Sequence, residues 1–186
     1  MGKVIGVLGL QGAYDKHIKM LEGLECEPKL VRYPEELDNS DGLIFPGGES
    51  STMSKLIDQM NLRDRLLEYD KPILATCAGL ILLSQTGVME QVKTLNRLPL
   101  TCQRNAYGRQ IESFIAEIEL PWNHEKFEAV FIRAPIIDEI KSKDLKVLIK
   151  YNGSPVLIQY KNILAASFHP ELTKNTAIHK KFVNMI

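Results

Sequence analysis

The residue with the clearest chemical potential is Cys77, which lies between two short apolar stretches. Residues 73–75 are apolar, and a second apolar run, residues 80–83, begins directly after Gly79. This pattern is typical of a strand that turns sharply into a helix with a nucleophile at the bend, where small neighbours relieve backbone crowding. A thiolate at such a bend lies at a helix N-terminus, where the helix dipole favours negative charge. The alternative is a structural cysteine on a core strand, the commoner role of a free cysteine.

A nucleophilic thiol needs a base, and the segment 168–171, Phe-His-Pro-Glu, supplies one. His169 can take the thiol proton, and Glu171 can hold the other ring nitrogen and fix the tautomer. The chain order Cys77, His169, Glu171 therefore predicts nucleophilic acyl transfer. The remaining histidines lack such neighbours and are interpreted as structural or solvated: His17, His124 and His179.

The loop 46–50, Pro-Gly-Gly-Glu-Ser, is the second element with chemical potential. Adjacent glycines let the backbone point N–H groups at a bound oxygen. Beside a cysteine nucleophile this predicts an oxyanion hole formed by the N–H groups of Gly48 and Ala78. The alternatives are an ordinary loop and a phosphate-binding loop. The second is disfavoured because the segment lacks the lysine of a P-loop.

The elements that must position these residues follow an α/β pattern. In the first half, apolar strands at 4–8, 29–32, 42–45 and 73–75 alternate with helical segments, one of them capped by Ser51 or Thr52. The second half reads as strands at 111–120, 129–133, 147–151, 156–160 and 163–167, followed by a closing helix at 173–186. We expect one domain, residues 1–186, with an open, mostly parallel twisted sheet, helices on both faces and antiparallel additions in the second half. The candidate residues all fall at strand ends, where such sheets gather function.

Composition excludes several classes of protein. Lysine plus arginine and aspartate plus glutamate each number 23 among 186 residues, so the formal net charge is zero. No basic patch favours nucleic acid or an anionic membrane surface as a partner, and no apolar run approaches the length of a membrane span. The three cysteines are an odd number without metal-type spacing. We therefore expect a reduced, cytoplasmic protein, with Cys26 and Cys102 in structural roles.

The motifs also resemble a known family. Residues 75–79, Ala-Thr-Cys-Ala-Gly, together with segment 168–171, resemble the Cys-His-Glu set of class I glutamine amidotransferase domains, which have a flavodoxin-like fold. Four further motifs are similar to those of the glutaminase subunits of pyridoxal 5′-phosphate synthase: residues 9–13 with His17, 46–50, 104–110 and 132–135. One departure is Ala75, where glycine is more usual, and its small side chain is expected to be tolerated.

The resemblance implies hydrolysis of L-glutamine to L-glutamate and ammonia, with no cofactor. The ammonia would pass to a synthase subunit that builds pyridoxal 5′-phosphate from a pentose phosphate and glyceraldehyde 3-phosphate. In the family, the loop that carries Gln11 meets the synthase. The positions that match its glutamine contacts are Gly48, Glu49, Ser50, Arg104, Ile132 and Arg133.

Two alternatives remain at the level of sequence. One is a glutaminase with another acceptor, such as the subunit of imidazole glycerol phosphate synthase, against which the Gln11 loop and segment 104–110 argue. The other is a non-catalytic cysteine sensor, which would not need His169 and Glu171. The paired glycines suggest in addition a switch, in which the Gly47–Gly48 peptide rotates when the partner docks and Gln11 couples docking to that rotation.

Overall fold

The computed structural model of the chain describes residues 2–85, 92–103 and 113–186. Within them the strands are β1 (Val4–Leu8), β2 (Glu27–Val31), β3 (Gly42–Phe45), β4 (Ile73–Thr76), β5 (Leu100–Gln103), β6 (Ser113–Glu119), β7 (Lys126–Ile132), β8 (Ile136–Ile140), β9 (Lys146–Tyr151), β10 (Ser154–Tyr160) and β11 (Ile163–Ala166). The α-helices are α1 (Tyr14–Glu22), α2 (Ser50–Gln59), α3 (Arg63–Glu68), α4 (Ala78–Leu83) and α5 (Ala177–Val183), and 3₁₀ turns span Pro34–Leu37 and Pro170–Leu172. No helix in this described part of the chain is long and apolar enough to cross a membrane.

One sheet organises the molecule, with seven strands in the order β2-β1-β3-β4-β11-β10-β9. The strands from β2 to β11 in this order run parallel, whereas β10 and β9 are antiparallel additions at one end. Two separate two-stranded antiparallel sheets pair β5 with β8 and β6 with β7, and only the second of these is a hairpin. The predicted mostly parallel sheet with antiparallel additions from the second half is confirmed.

Helices cover both faces of the sheet because successive side chains of a strand point in opposite directions. Ile73 and Ala75 of β4 pack into one apolar cluster with α2, α3 and α4. Leu74 packs into a second cluster with α1, α5 and the β6–β7 hairpin. Thr76, two residues beyond Leu74, therefore faces the side of the sheet that α1 and α5 cover.

The strand order reverses between β1 and β3. Such a reversal leaves a crevice outside the carboxyl ends of the strands, where ligands of open α/β sheets bind. The loop after β1 carries Gln11, and the loop after β3 carries Gly47 and Gly48. Cys77 follows β4, the next strand along. The topology alone thus brings the candidate residues to one edge of the sheet.

Several boundaries differ from those predicted. The predictions for β1 and β3 are confirmed, but α3 and the two-stranded β5–β8 sheet were not expected. The closing helix is shorter than the predicted 173–186, since α5 begins at Ala177 and ends at Val183. The predicted cap of α2 is wrong: Ser51 and Thr52 lie inside its first turn, and the Glu49 carboxylate accepts hydrogen bonds from their N–H groups.

Close packing of α4 on β3 depends on Gly79. A Cβ atom added at this position would lie 2.2 Å from the Phe45 carbonyl oxygen and 2.8 Å from the Phe45 Cβ. Because the first of these neighbours is backbone, it cannot move aside cheaply. Gly79 therefore sets the distance between the strand that precedes the glycine-rich loop and the helix that follows Cys77.

We predict that Gly79→Ala destabilises the protein by about 1–3 kcal/mol, the usual cost of overpacking a core. The measurement is the free energy of unfolding from urea denaturation. Gly23→Ala is the matched control, since its added Cβ would lie at an ordinary 3.6 Å from the Met20 carbonyl oxygen. Equal stability of the two variants would contradict the prediction.

Candidate active site

Cys77 lies between β4 and α4 in a backbone conformation that few residues adopt, with φ 48° and ψ −103°. Residues held in such sparsely populated regions cost on the order of 1–3 kcal/mol and persist only where the surroundings fix them. Here the Cys77 N–H donates to the Ala166 carbonyl at 2.9 Å, and the Cys77 carbonyl accepts from the Ile81 N–H at 3.3 Å. The sharp strand-to-helix bend predicted from the sequence is present, and it places the thiol at the start of α4.

His169 and Glu171 follow β11 and meet Cys77 at the same edge of the sheet. His169 Nδ1 lies 2.7 Å from Glu171 Oε1, and the same ring lies beside the Cys77 side chain, near enough for the two groups to interact electrostatically. Since the carboxylate occupies Nδ1, Nε2 is the nitrogen left for the sulfur. All three residues are buried. The structure thus brings together the three residues that the sequence singled out for nucleophilic chemistry.

Mutual contacts set the charges in this buried group. Burial alone would lower the pKa of His169, but its hydrogen bonds to Cys77 and Glu171, with their negative charges, outweigh burial and raise that pKa to about 10. Burial alone would raise the pKa of Glu171, but His17 and His169 outweigh it and lower that pKa. At neutral pH the ring is therefore an imidazolium and Glu171 a carboxylate.

The glycine-rich loop fits against the histidine ring and against the loop after β1. A Cβ atom added at Gly47 would lie 2.3 Å from His169 Cε1, and one added at Gly48 would lie 2.4 Å from Gln11 Oε1. The Gly47 carbonyl accepts a hydrogen bond from the Ala13 N–H at 3.0 Å. Any side chain at either glycine would therefore push the ring or the first loop away from the site.

Gln11 and Glu49 connect the two loops across the crevice. Gln11 Oε1 accepts a hydrogen bond from the Glu49 N–H at 2.7 Å. Partial burial alone would raise the pKa of Glu49, but hydrogen bonds from Thr52 and Ser51 outweigh it and lower that pKa to about 2. The Glu49 carboxylate is thus an ionised cap of α2, while its backbone N–H is held by the loop after β1.

A cavity of about 360 Å³ opens above Cys77 and His169. It gathers most of the residues predicted to bind substrate, and its lining is Gln11, Gly48, Glu49, Ser50, Cys77, Ile81, Ile132, Arg133 and His169. Ala78 begins α4 beside Cys77, and Arg104 lies outside the described residues. Sequence reasoning missed Ile81, whose apolar side chain reaches the cavity from α4.

Among the residues that the structure describes, no group of three or more His, Cys, Asp or Glu side chains is arranged to hold a metal ion.

Sequence reasoning also missed His17, which was interpreted as structural or solvated. Its ring is fully buried, and its Nε2 lies 3.4 Å from Glu171 Oε2. Helical spacing could have predicted the burial of His17, because it shares a face of α1 with the buried residues Met20 and Leu21. His179 is buried beside it, whereas His124 is exposed and contacts Glu119 at the surface.

Comparison with known proteins gives matches to a family model, to named relatives and to solved structures. A sequence model of the SNO glutamine amidotransferase family matches residues 7–186. A protein named pyridoxal 5′-phosphate synthase subunit PdxT from Thermosipho africanus is 46% identical over 185 residues, with 98% of each chain covered. The protein of the same name from Thermotoga petrophila is 44% identical over 186 residues, again with 98% of each chain covered.

Solved structures agree with these matches. A crystal structure described as a glutamine amidotransferase has a TM-score of 0.90 and 38% identity, with 97% of each chain covered. A putative GMP synthase subunit from Thermoplasma acidophilum has a TM-score of 0.73 at 17% identity and covers 100% of this chain and 94% of its own. At that identity the second likeness concerns the fold alone.

We predict that iodoacetamide at pH 7 labels Cys77 faster than the two other cysteines. Burial raises the pKa of Cys102 to about 12 and also raises the pKa of Cys26, so both remain protonated thiols at neutral pH. Peptide mass spectrometry over a time course measures the three rates, and Cys77→Ala should abolish only the fast phase. Labelling of all three thiols at one rate would contradict the prediction.

Proposed function

This chain belongs to the SNO glutamine amidotransferase family, and from that premise we propose that it hydrolyses L-glutamine to L-glutamate and ammonia. The ammonia is supplied to a synthase subunit that makes pyridoxal 5′-phosphate. The observation that carries the proposal is the buried contact of His169 with both Cys77 and Glu171 beneath a cavity. The full-length relatives named as subunits of that synthase support the choice of acceptor.

The proposed reaction begins with attack of Cys77 Sγ on the side-chain amide carbon of glutamine. The N–H groups of Gly48 and Ala78 stabilise the oxyanion of the tetrahedral intermediate, and the His169 imidazolium protonates the departing nitrogen. Ammonia leaves and a thioester to Cys77 remains. Neutral His169 then removes a proton from water, which attacks the thioester and releases glutamate. Glu171 keeps its Nδ1 contact with the ring through both steps.

Substrate binding is assigned to the rest of the cavity. Arg133 and Arg104 suit the α-carboxylate of glutamine, because a guanidinium forms paired hydrogen bonds with a carboxylate. Gly48, Glu49, Ser50 and Ile132 complete the binding residues. These last four residues line one cavity together with Arg133, and this supports the assignment.

The proposal treats residues 1–186 as one amidotransferase domain that works in the cytoplasm. The family match over residues 7–186 supports the single domain. The free thiols Cys26, Cys77 and Cys102 support the location, since oxidising compartments favour disulfides.

Gln11 is proposed to couple docking of the synthase to the oxyanion hole. In a trans peptide the C=O and N–H groups point in opposite directions, so the Gly47 bond to Ala13 also fixes the direction of the Gly48 N–H. Rotation of this peptide would break the bond to Ala13. Gln11 accepts a hydrogen bond from the N–H of Glu49, the residue after Gly48. The loop that is proposed to face the synthase is therefore in direct contact with the segment whose peptide orientation it is proposed to control.

We predict that Cys77→Ala lowers glutaminase activity by several orders of magnitude, because a catalytic unit fails when any member is lost. Ammonia release from glutamine in the presence of the synthase measures this. Cys102→Ala is the matched control, since that thiol is buried in β5, outside the lining of the cavity. Turnover of glutamine by Cys77→Ala at the wild-type rate would sink the proposed mechanism.

We further predict that the chain alone hydrolyses glutamine slowly and that the synthase raises kcat. Gln11→Ala should lower the kcat of the complex by about 10²–10³, the effect of losing one oxyanion-hole donor. Gln59→Ala, at the exposed end of α2, is the matched control. Binding to the synthase is measured separately by calorimetry, so that lost activation is distinguished from lost docking. Equal activity of the free chain and the complex would rule out the coupling.

A further inference from the structure

A buried polar array lies behind the catalytic carboxylate and is not used by the proposed chemistry. His17 of α1 and His179 of α5 are both fully buried, and His17 Nδ1 lies 2.9 Å from His179 Nε2. On its other side, His17 Nε2 lies 3.3 Å from Thr76 Oγ1 and 3.4 Å from Glu171 Oε2. The ring of His17 therefore contacts the catalytic carboxylate and the residue that precedes the nucleophile.

These contacts determine which ring nitrogens carry protons. Burial lowers the pKa of both histidines below the usual value, so both rings are neutral and each carries a single proton. His17 Nε2 forms its hydrogen bond with Thr76 Oγ1, which can donate or accept. The Glu171 carboxylate, 3.4 Å away, can only accept, so a bare Nε2 would set its lone pair against that negative charge. Nε2 of His17 therefore carries the proton, and its Nδ1 accepts one from His179 Nε2.

His179 supplies independent support for this direction. With the proton on Nε2, its Nδ1 is a bare acceptor. Among the described residues that Nδ1 is buried and has no hydrogen-bond partner. An unpaired acceptor there is tolerable, whereas the opposite tautomer would bury an N–H donor without an acceptor. Two separate contacts thus require the same proton arrangement.

We propose that His17 is a positioning residue for glutamine hydrolysis: its Nε2–H, oriented by His179, faces Glu171 Oε2 and fixes the carboxylate that orients His169. The inference rests on the proposed function. Glu171 Oε1 already contacts His169, whereas Oε2 is buried and has no hydrogen bond among the described residues, so His17 Nε2, 3.4 Å away, is the polar neighbour left to it. Without His17 that oxygen would face no donor, so the carboxylate would rotate or take up a proton. Either change weakens its hold on the imidazolium.

The expected effect on pH dependence follows from the groups around Glu171. These are His169 on its own segment and His17 on α1, while His17 in turn faces His179 on α5 and senses Asp15 on its own helix. Removing the His17 donor raises the pH at which Glu171 becomes protonated. The imidazolium then loses support, so we expect Cys77 to react with an alkylating reagent only at higher pH.

The experiment compares three variants of the full chain. His17→Leu removes the donor at similar volume, and His17→Gln keeps an N–H donor near the Nε2 position. Tyr69→Phe is the control for loss of a buried hydrogen bond on the other face of the sheet, where the Tyr69 hydroxyl lies 3.0 Å from Ser40 Oγ. The first readout is the rate of Cys77 alkylation by iodoacetamide from pH 4 to 10, which requires no turnover of glutamine.

We expect the ascending limb of the alkylation profile to move up by about one pH unit in His17→Leu, as for loss of one donor to a charged group. His17→Gln should restore at least half of this shift, and Tyr69→Phe should show none. With the synthase present, kcat for glutamine should fall about 10–100-fold in His17→Leu, while KM changes less than about twofold. Nitrogen NMR of the wild-type chain should show the Nε2–H tautomer for both histidines.

An unchanged alkylation profile in His17→Leu would overturn the proposal, and so would an equal shift in the Leu and Gln variants, which would indicate packing rather than the donor. An Nδ1–H tautomer of His17 would also overturn it. If the profile shifts as expected while no form of the protein hydrolyses glutamine, the proposed function fails and the positioning of Glu171 by His17 stands.

Discussion

The buried charge of Glu171 is the constraint on which the rest of the site depends. A carboxylate removed from water is costly unless each oxygen meets a donor or a positive charge. Oε1 meets His169, whose raised pKa reflects that contact, and Oε2 meets the ring of His17. The 3₁₀ turn after β11, helix α1 and helix α5 must therefore keep their places together. Proton positions, as well as atom positions, are specified by this packing.

The second requirement of the site is glycine at positions where any side chain would clash with a neighbour. The glycine-rich loop lies so near His169 and Gln11 that even a methyl group at Gly47 or Gly48 would occupy their positions. The same closeness recurs below, where α4 lies against β3 at Gly79. Backbone therefore approaches backbone on both sides of Cys77, and the positive φ of that residue is held by surroundings that leave little room for relaxation.

Local patterns predicted a large part of this arrangement. Buried strands such as β1 and β3 were found because they are continuous apolar runs next to glycines. Cys77 and His169 were singled out as candidate nucleophile and base because their sequence neighbours are unusual. Helix α3 and strands β5 and β8 were not predicted, because short elements carry little periodicity. The role of Glu49 as the cap of α2 and the contact of His17 with Glu171 depend on where separate segments meet in space. Spacing along a chain does not contain that information.

The two outer strands of the sheet bear on whether one copy of the chain can pair edge to edge with another. Strand β2 opens with Glu27, Pro28 and Lys29, and β9 carries Lys146 and Lys150 on its exposed side. Proline removes a hydrogen-bond donor, and charges oppose the approach of another strand, so both edges resist pairing with a neighbouring copy. With a formal net charge of zero, overall repulsion gives the molecule little protection against association. Protection of the open edges is therefore local: it comes from the proline and the charged side chains of the two outer strands rather than from the charge of the whole molecule.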